Sequence, residues 1–362
     1  MRVALVHDYL NQRGGAERVF AHIARVFPEA PVYTALHDPR ATGDLVDPAR
    51  VHASYLNALP GSRRYFRYLA PLYPRAFETF DFSGFDTIVS STTSWTKGIR
   101  VPPGAVHVCY VNTVSRFAFA YDDYVGGLSS FQKIASPFVK KLVEWDKRAA
   151  QKPTRLIANS VNVADRIMRY YGRESTVLHC PVDLERFTVG SGGGNYFIVA
   201  ARLLPYKRID LAIRAAQIAE MPLVIAGTGP DEKRLRGLAA ESPWTRMTGY
   251  VDDAELNGLM GNALAAIVPG EEDFGLVPLE AAAAGRPAVA FRAGGALETI
   301  VEGVTGEFFD EPTPQALAAA MRRFDPRTYD PHELRTRAQQ FSPVSFTEAL
   351  RAIVEETRRL AG

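Results

Sequence analysis

Two cations in the second half of the chain, Arg202 and Lys207, stand where they could bind one anionic group together. Both lie at or just after the end of the apolar run 195–203, which has the composition of a buried β-strand. Arginine offers a planar fork of donors and lysine a compact point charge, so the pair suits a diphosphate. Two solvated surface charges would show the same spacing, and the pattern alone leaves that alternative open.

An acidic stretch precedes a predicted helix at EEDFGLVPLE, residues 271–280. The unpaired amides of a helix that starts at 274–276 would favour a phosphate. Glu280 stands among apolar side chains of this helix, where a carboxylate is costly unless it is paired or hydrogen-bonded. A pair of ribose hydroxyls would satisfy it. The alternative is an acid that complements the helix dipole.

Glycines mark two further places where the backbone can approach a ligand closely. GTGP at 227–230 ends another apolar run, and Gly14–Gly15 lie between the first apolar run and a helix. Neither is the GxGxxG fingerprint, which argues against a nicotinamide dinucleotide site. An ordinary turn between a strand and a helix is the alternative for Gly14 and Gly15.

Short apolar runs alternate with helical patterns along the whole chain and must position these residues. The runs are rich in Val, Ile and Ala, as expected for strands buried on both faces of a parallel sheet. They are 3–9, 31–36, 86–92, 105–111, 155–160, 175–183, 195–203, 222–229, 245–251, 263–270, 287–295 and 307–310. Two such series predict an α/β protein with two doubly wound parallel-sheet domains.

The composition of residues 184–194, LERFTVGSGGG, is that of a linker. We therefore predict one domain at 1–183, a second at 195–345, and a last helical stretch at 346–362 that packs on the first domain. Ligands of doubly wound sheets bind outside the carboxyl ends of the strands, so a cleft between the two halves is the expected site.

Length and composition exclude several classes of protein. The 362 residues suffice for two domains, and the net charge of +2 lacks the basic excess of a nucleic-acid binder. The two cysteines, Cys109 and Cys180, lie in apolar runs without metal-type spacing and are expected to be buried thiols. The first run reads as a strand and no long apolar stretch follows, so we expect a cytoplasmic protein.

Together, Arg202, Lys207 and the pair Glu272/Glu280, with seven residues between the two glutamates, resemble the signature of glycosyltransferase family 4. These are retaining enzymes of GT-B fold, and the resemblance covers essentially the whole chain. It implies that Arg202 and Lys207 bind the donor diphosphate, that Glu272 lies beside the donor sugar, and that Glu280 holds the ribose. Arg202, Lys207 and Glu272 are the catalytic residues that the resemblance implies. The other implied donor contacts in matching segments are Gly14, Gly15, Gly227, Tyr250, Val251, Asp273, Phe274, Gly275 and Leu276.

The aromatic segment 110–124 resembles the WbaZ-type bacterial mannosyltransferase subgroup of this family. Thr113 and Arg116 match its pattern, whereas Asn112 stands where the subgroup has His and Val114 where it has Pro. The resemblance implies a donor contact at Asn112 and Arg116 and favours GDP-mannose. Asparagine does not take up a proton near neutral pH, so the identity of the sugar stays open.

The resemblance implies transfer of a hexose from a nucleotide-diphosphate donor to a hydroxyl of a glycan or lipid-linked acceptor. Without an Asp-x-Asp element we expect no required metal and no cofactor beyond the donor substrate. The arginine-rich, aromatic stretch 63–77 is a candidate contact with anionic lipid, or else a core-facing helix with solvated arginines. Two alternatives stay open: a nucleotide-sugar epimerase or hydrolase on the same fold, and a weakened transferase that serves as a partner subunit.

Overall fold

The computed structural model of the protein describes residues 1–115 and 129–362. These residues form two compact units. The first comprises 1–115, 129–180 and Val344–Gly362, and the second comprises Pro181–Pro343.

The first unit is built on a seven-stranded parallel sheet in the order β3-β2-β1-β4-β5-β6-β7. Its strands are β1 (Val3–His7), β2 (Val32–Thr34), β3 (Val51–Ala53), β4 (Thr87–Thr92), β5 (Val106–Val111), β6 (Arg155–Ala158) and β7 (Thr176–Val177). Its helices before residue 181 are α1 (Gly15–Val26), α2 (Pro39–Thr42), α3 (Tyr73–Glu78), α4 (Ser129–Ala149) and α5 (Val161–Tyr171). Every residue of β4 and β5 is buried, as expected for strands covered on both faces.

The second unit is built on a six-stranded parallel sheet in the order β10-β9-β8-β11-β12-β13. Its strands are β8 (Phe197–Ala200), β9 (Leu223–Ala226), β10 (Thr245–Gly249), β11 (Ala266–Val268), β12 (Ala288–Phe291) and β13 (Gly306–Phe309). Its helices are α6 (Ile209–Ala219), α7 (Glu232–Ala240), α8 (Asp253–Asn262), α9 (Leu276–Ala283), α10 (Ala296–Thr299), α11 (Pro314–Arg323) and α12 (Pro331–Gln339).

These two doubly wound sheets confirm the predicted fold class. All twelve apolar runs coincide with strands. The pattern missed β3, because its three residues are partly exposed and form no continuous apolar run. It is an edge strand held by pairing with β2 alone.

The glycine-rich segment 184–194 is hydrogen-bonded to the second unit. The amides of Gly190, Gly192 and Gly194 donate to the carbonyls of Ala284, Gly261 and Asn262 at 3.0–3.1 Å. Its glycines are needed for contact, since a Cβ at Gly190 would lie 2.2 Å from the Gly261 carbonyl oxygen. The segment is therefore part of the second unit, and the division between the units falls at residue 180.

The last helix, α13 (Pro343–Ala361), belongs to the first unit from Val344 onward. The Phe346 ring lies 5.8 Å from the ring of Tyr110, and Glu356 pairs with Arg155 at 2.5 Å. Within the described ranges, every helix is too short or too polar to span a bilayer. In the same ranges, His, Cys, Asp and Glu side chains form no group of three that could hold a metal ion.

Candidate functional site

Arg202, Lys207 and the predicted residues from Glu272 to Gly275 lie in two loops at the topological switch point of the second sheet. Strands β8 and β11 are neighbours, but the chain continues from β8 to β9 in one direction and from β11 to β12 in the other. The loops that follow β8 and β11, residues 201–208 and 269–275, therefore start side by side at the carboxyl edge and lead in opposite directions along the sheet. Doubly wound sheets bind their ligands at switch points of this kind.

Lys207 and Glu272 meet at this switch point. The Nζ atom of Lys207 lies 2.5 Å from each carboxylate oxygen of Glu272, and the two side chains are 19% and 17% exposed. Lys207 ends a short 3₁₀ turn, and Arg208 follows in the left-handed region at φ 52°. The two loops touch at Gly270, where a Cβ would lie 2.6 Å from the Tyr206 carbonyl oxygen. The sequence predicted separate contacts to phosphate and sugar for Lys207 and Glu272, and the structure brings the two residues together as an ion pair.

Arg202 lies in the same loop as Lys207, two residues after β8, and its side chain is half-buried. The adjacent loop is held against it at Gly227, which has φ 138°. A Cβ at Gly227 would lie 2.0 Å from the Ala201 carbonyl oxygen, so only glycine fits. Gly227 thus positions the Arg202 loop through backbone packing.

The start of α9 is held in place by buried contacts. Gly275 precedes the helix at φ 89°, and the Phe274 side chain is buried 5.8 Å from the Phe341 ring. The Gly295 amide donates to the Glu272 carbonyl oxygen at 2.9 Å. Asp273 lies half-buried between these anchors. Leu276 begins the helix, and the amides of Leu276 and Val277 have no partner within it, whereas Pro278 in the same turn has no amide. These two amides follow Glu272 of the ion pair by four and five residues in the chain.

Glu280 is paired with a residue that the sequence pattern missed. Arg186 donates from Nη1 to Oε1 of Glu280 at 3.1 Å and forms a fork with Asp253, from Nε at 3.2 Å and Nη2 at 2.9 Å. Burial lowers the pKa of Arg186, but the two carboxylates outweigh it, so that the pKa lies above its usual value. Arg186 and Glu280 are 94 positions apart, and no local motif links them.

Tyr250 and Val251 follow β10 on the same edge of the sheet. Gly249 adopts φ 80°, and its carbonyl oxygen accepts a hydrogen bond from the Gly227 amide at 2.8 Å. Tyr250 is 70% exposed, whereas Val251 packs on the apolar core of the unit. This turn leads directly into α8, whose first residue is Asp253.

In the first unit, Gly14 ends the turn from β1 into α1, and Gly15 is the first residue of the helix. The Glu17 side chain is buried and folds back over this turn, where it accepts a hydrogen bond from Gln12 at 3.1 Å. A Cβ at Gly14 would lie 2.7 Å from Oε2 of Glu17. The glycine therefore makes room for the carboxylate of its own helix.

Asn112 follows β5 and is 8% exposed. Its Nδ2 donates to Oγ of Ser91 at 2.8 Å and to the Thr92 carbonyl oxygen at 3.2 Å. The side-chain nitrogen is thus engaged with the end of β4. Arg116, the other predicted contact in this segment, lies outside the described residues.

Two buried polar groups of the first unit have no counterpart in the sequence predictions. Asp8 accepts the backbone amides of residues 93–96 at 2.6–3.0 Å, which fixes the loop after β4. His107 lies 2.7 Å from Oγ of Ser90, and burial, with the charge of Lys152 as a smaller cause, lowers its pKa to about 3. Both groups support the loops at the carboxyl edge or the strands that carry them.

Two family models match the chain, one to each half. Residues 13–186 match glycosyltransferase family 4, and residues 182–341 match the glycosyl transferases group 1. The chain is 29% identical over 218 residues to a D-inositol 3-phosphate glycosyltransferase of Geodermatophilus obscurus, covering 51% of this chain and 48% of the relative. It is 28% identical over 210 residues to a GDP-mannose-dependent phosphatidylinositol monomannoside mannosyltransferase of Mycolicibacterium smegmatis, covering 48% and 55%. The matches span about half the length of these curated relatives.

Solved structures share the fold along almost the whole chain. Anabaena HepE in complex with UDP superposes with a TM-score of 0.72 at 18% identity, covering 98% of this chain and 100% of the other. A sucrose-phosphate synthase from Thermosynechococcus elongatus superposes with a TM-score of 0.76 at 17% identity, covering 98% of each chain.

Proposed function

We propose that the chain, whose two halves match glycosyltransferase family 4 and the glycosyl transferases group 1, is a family 4 glycosyltransferase. In this proposal it transfers a hexose, with retention of anomeric configuration, from a nucleoside-diphosphate sugar to an acceptor hydroxyl. The observation that supports this best is the Lys207–Glu272 pair at the switch point of the second sheet, beside the first-turn amides of α9. A cation, a carboxylate and backbone donors lie there together, as a diphosphate and its attached sugar require.

Transfer of the sugar requires the site to stabilise the nucleoside diphosphate as it leaves. A cation about 4 Å from a phosphate charge contributes roughly 4 kcal/mol at an effective dielectric constant near 20. Lys207 and Arg202 supply this charge, and the start of α9 adds about 0.3–1 kcal/mol. In the proposed front-face reaction the bond from the anomeric carbon to the phosphate oxygen breaks, and the bond to the acceptor oxygen forms on the same face. The acceptor proton passes to the departing phosphate.

We propose GDP-mannose as the donor. The support is the likeness of segment 110–124 to the mannosyltransferase subgroup and the similarity to a GDP-mannose-dependent enzyme. A thermal-shift screen against GDP, UDP, ADP and dTDP, followed by their sugars, tests this. A ligand at 100 times its Kd raises the free energy of unfolding by about 2.7 kcal/mol. A shift with UDP but none with GDP would overturn the choice of donor, and no shift with any of the four would overturn the nucleotide site.

The effect of an acceptor on the rate of GDP release distinguishes a transferase from a hydrolase. Transfer predicts that GDP release from GDP-mannose is slow in water and accelerates when an acceptor glycan or lipid-linked glycan is added. Fast release without acceptor would instead identify a hydrolase. The one-bond coupling between C1 and H1 of the transferred mannose, measured by NMR, distinguishes retention from inversion, whereas the H1–H2 coupling is small in both anomers of mannose.

We also propose that the acceptor lies at the inner face of the membrane and that residues 63–77 contact the lipid. The stretch forms two short helices rather than one, with Phe66 and Tyr73 buried as anchors. Tyr65 and Tyr68 are 53% and 82% exposed, and residues 48–77 contain no Asp or Glu. Each arginine near an anionic surface contributes about 1 kcal/mol. Cosedimentation with vesicles that contain phosphatidylglycerol, but not with pure phosphatidylcholine vesicles, is the expected result.

A further inference from the structure

Arg186 links two elements of the second unit for which the family resemblance implies contacts with the nucleoside. Its guanidinium contacts Asp253, the first residue of α8, and Glu280 in α9, the implied ribose ligand. Tyr250 and Val251 precede α8, and their segment resembles the family segment whose backbone contacts the base. The same cation therefore connects the proposed base segment to the proposed ribose carboxylate.

The arrangement uses the shape of arginine. The atoms Nε and Nη2 face the two oxygens of Asp253, which leaves Nη1 for Glu280. The guanidinium also lies over the Phe187 ring, 5.0 Å from its centroid, and that ring is 1% exposed. A lysine ammonium has one nitrogen and could not span both carboxylates while stacking on the ring.

The contact with Arg186 orients the Glu280 carboxylate but leaves it able to accept further hydrogen bonds. The side chains of Arg186 and Glu280 are 13% and 16% exposed, so the contact forms largely away from water. An ionised carboxylate has about four acceptor sites, and Arg186 uses one of them at Oε1. The remaining sites suffice for two adjacent ribose hydroxyls.

We propose that Arg186 is a positioning residue for nucleoside recognition, orienting Glu280 toward the ribose hydroxyls and tying it to the segment that reads the base. This inference rests on the proposed function, because it assigns a role within the same nucleotide site. The proposal predicts that the difference in affinity between a ribonucleotide and its 2′-deoxy analogue depends on Arg186, which acts on the ribose only through Glu280.

The test compares Kd values for GDP and 2′-deoxy-GDP by calorimetry. A hydrogen bond to a charged group is worth about 1.5–3 kcal/mol, so the wild type should bind GDP at least about tenfold more tightly. Arg186→Gln and Glu280→Ala should each bring the ratio close to one. Inhibition by inorganic pyrophosphate, which lacks a nucleoside, should be unchanged in Arg186→Gln. A merely structural role would weaken all three ligands together.

Arg327→Gln is the matched control. Arg327 forms a similar fork with Asp325 in the same unit, at 2.9 and 2.8 Å, but it is 87% exposed. It should keep the wild-type ratio. If Arg186→Gln does not fold, Asp253→Asn weakens the same fork with Arg186 in place and should lower the ratio at least about threefold, since one charge-assisted contact is weakened.

The outcomes separate the two proposals. A folded Arg186→Gln or Asp253→Asn that keeps the wild-type ratio, while Glu280→Ala loses it, overturns the role of Arg186 and leaves the nucleotide site standing. A wild type that binds neither GDP nor UDP overturns the proposed function, and this inference falls with it.

Discussion

Replacing Lys207 with methionine should cause a large loss of catalysis. Lys207 contacts both oxygens of Glu272 at 2.5 Å, and both side chains are more than four-fifths buried. The substitution removes a cation and also leaves the Glu272 carboxylate facing the place where a diphosphate should bind. At about 4 Å and an effective dielectric constant near 20, one such interaction amounts to roughly 4 kcal/mol. Water that replaces the ammonium recovers part of this, so we expect a fall in turnover of roughly 10²–10³-fold, as for other preorganised charge stabilisers.

The assay measures GDP release from GDP-mannose with acceptor present, together with the Kd for GDP by calorimetry. Adding Glu272→Gln to Lys207→Met should restore part of the GDP affinity, because it removes the anionic repulsion. It should not restore turnover, because the cation is still missing. Unfolding temperatures identify any variant that has lost its fold. A folded Lys207→Met that binds GDP and turns over like the wild type would refute the role of this pair, and a double variant with no recovered affinity would refute the repulsion.

Three further predictions concern a glycine contact, a buried histidine and the second cation of the proposed site. Gly227→Ala should lower the free energy of unfolding by more than about 1 kcal/mol, because φ is 138° and the Cβ would meet the Ala201 carbonyl oxygen. Gly237→Ala in α7 meets nothing within 4 Å and should stabilise the protein by about 0.5–1 kcal/mol in the same urea titration. Equal effects would contradict the packing account. His107, with a pKa of about 3 when folded and about 6.5 when unfolded, stays neutral in the fold, so the unfolded chain takes up more protons as the pH falls below 6.5. Acidification from pH 7 to pH 5 should therefore lower the free energy of unfolding of the wild type by about 2 kcal/mol more than that of His107→Gln. Equal losses in the two proteins would contradict a neutral, buried His107. Arg202→Ala should lower turnover by roughly 10²–10³-fold with an unchanged unfolding temperature, and wild-type turnover would remove Arg202 from the diphosphate clamp.

The fold could be predicted from the sequence because its signal is repeated and local. Each buried parallel strand requires a short apolar run, and thirteen strands in two sheets leave many independent traces. The apolar pattern missed β3, because this strand is partly exposed and pairs with a neighbour on one side only. Its residues therefore do not need to be apolar. The linker composition of 184–194 was ambiguous for another reason, since glycine suits both a flexible chain and a backbone pressed against a neighbour.

The candidate site could be predicted only where chemistry coincides with a strand end. Lys207 and Glu272 stand beside apolar runs, so their position at the carboxyl edge follows from the pattern, but their pairing depends on β8 and β11 being neighbours. Arg186 lies in the segment whose composition predicted a linker, and its partners lie 67 and 94 residues away. Glu280 could be recognised as a carboxylate in need of a partner, but which partner it finds is a property of the tertiary structure.

The pairing of Lys207 with Glu272 also bears on how the site could exchange charges during a reaction. Two opposite charges, each mostly shielded from water, are stable together, and either alone would be costly. A diphosphate that approaches Lys207 therefore competes with Glu272, and it succeeds if the carboxylate finds donors of its own. The hydroxyls of a donor sugar are such donors, whereas a nucleoside diphosphate without a sugar has none to offer at that position. We therefore expect the site to bind the intact sugar nucleotide more tightly than the spent nucleotide, and Glu272→Gln should narrow the difference in Kd between GDP-mannose and GDP.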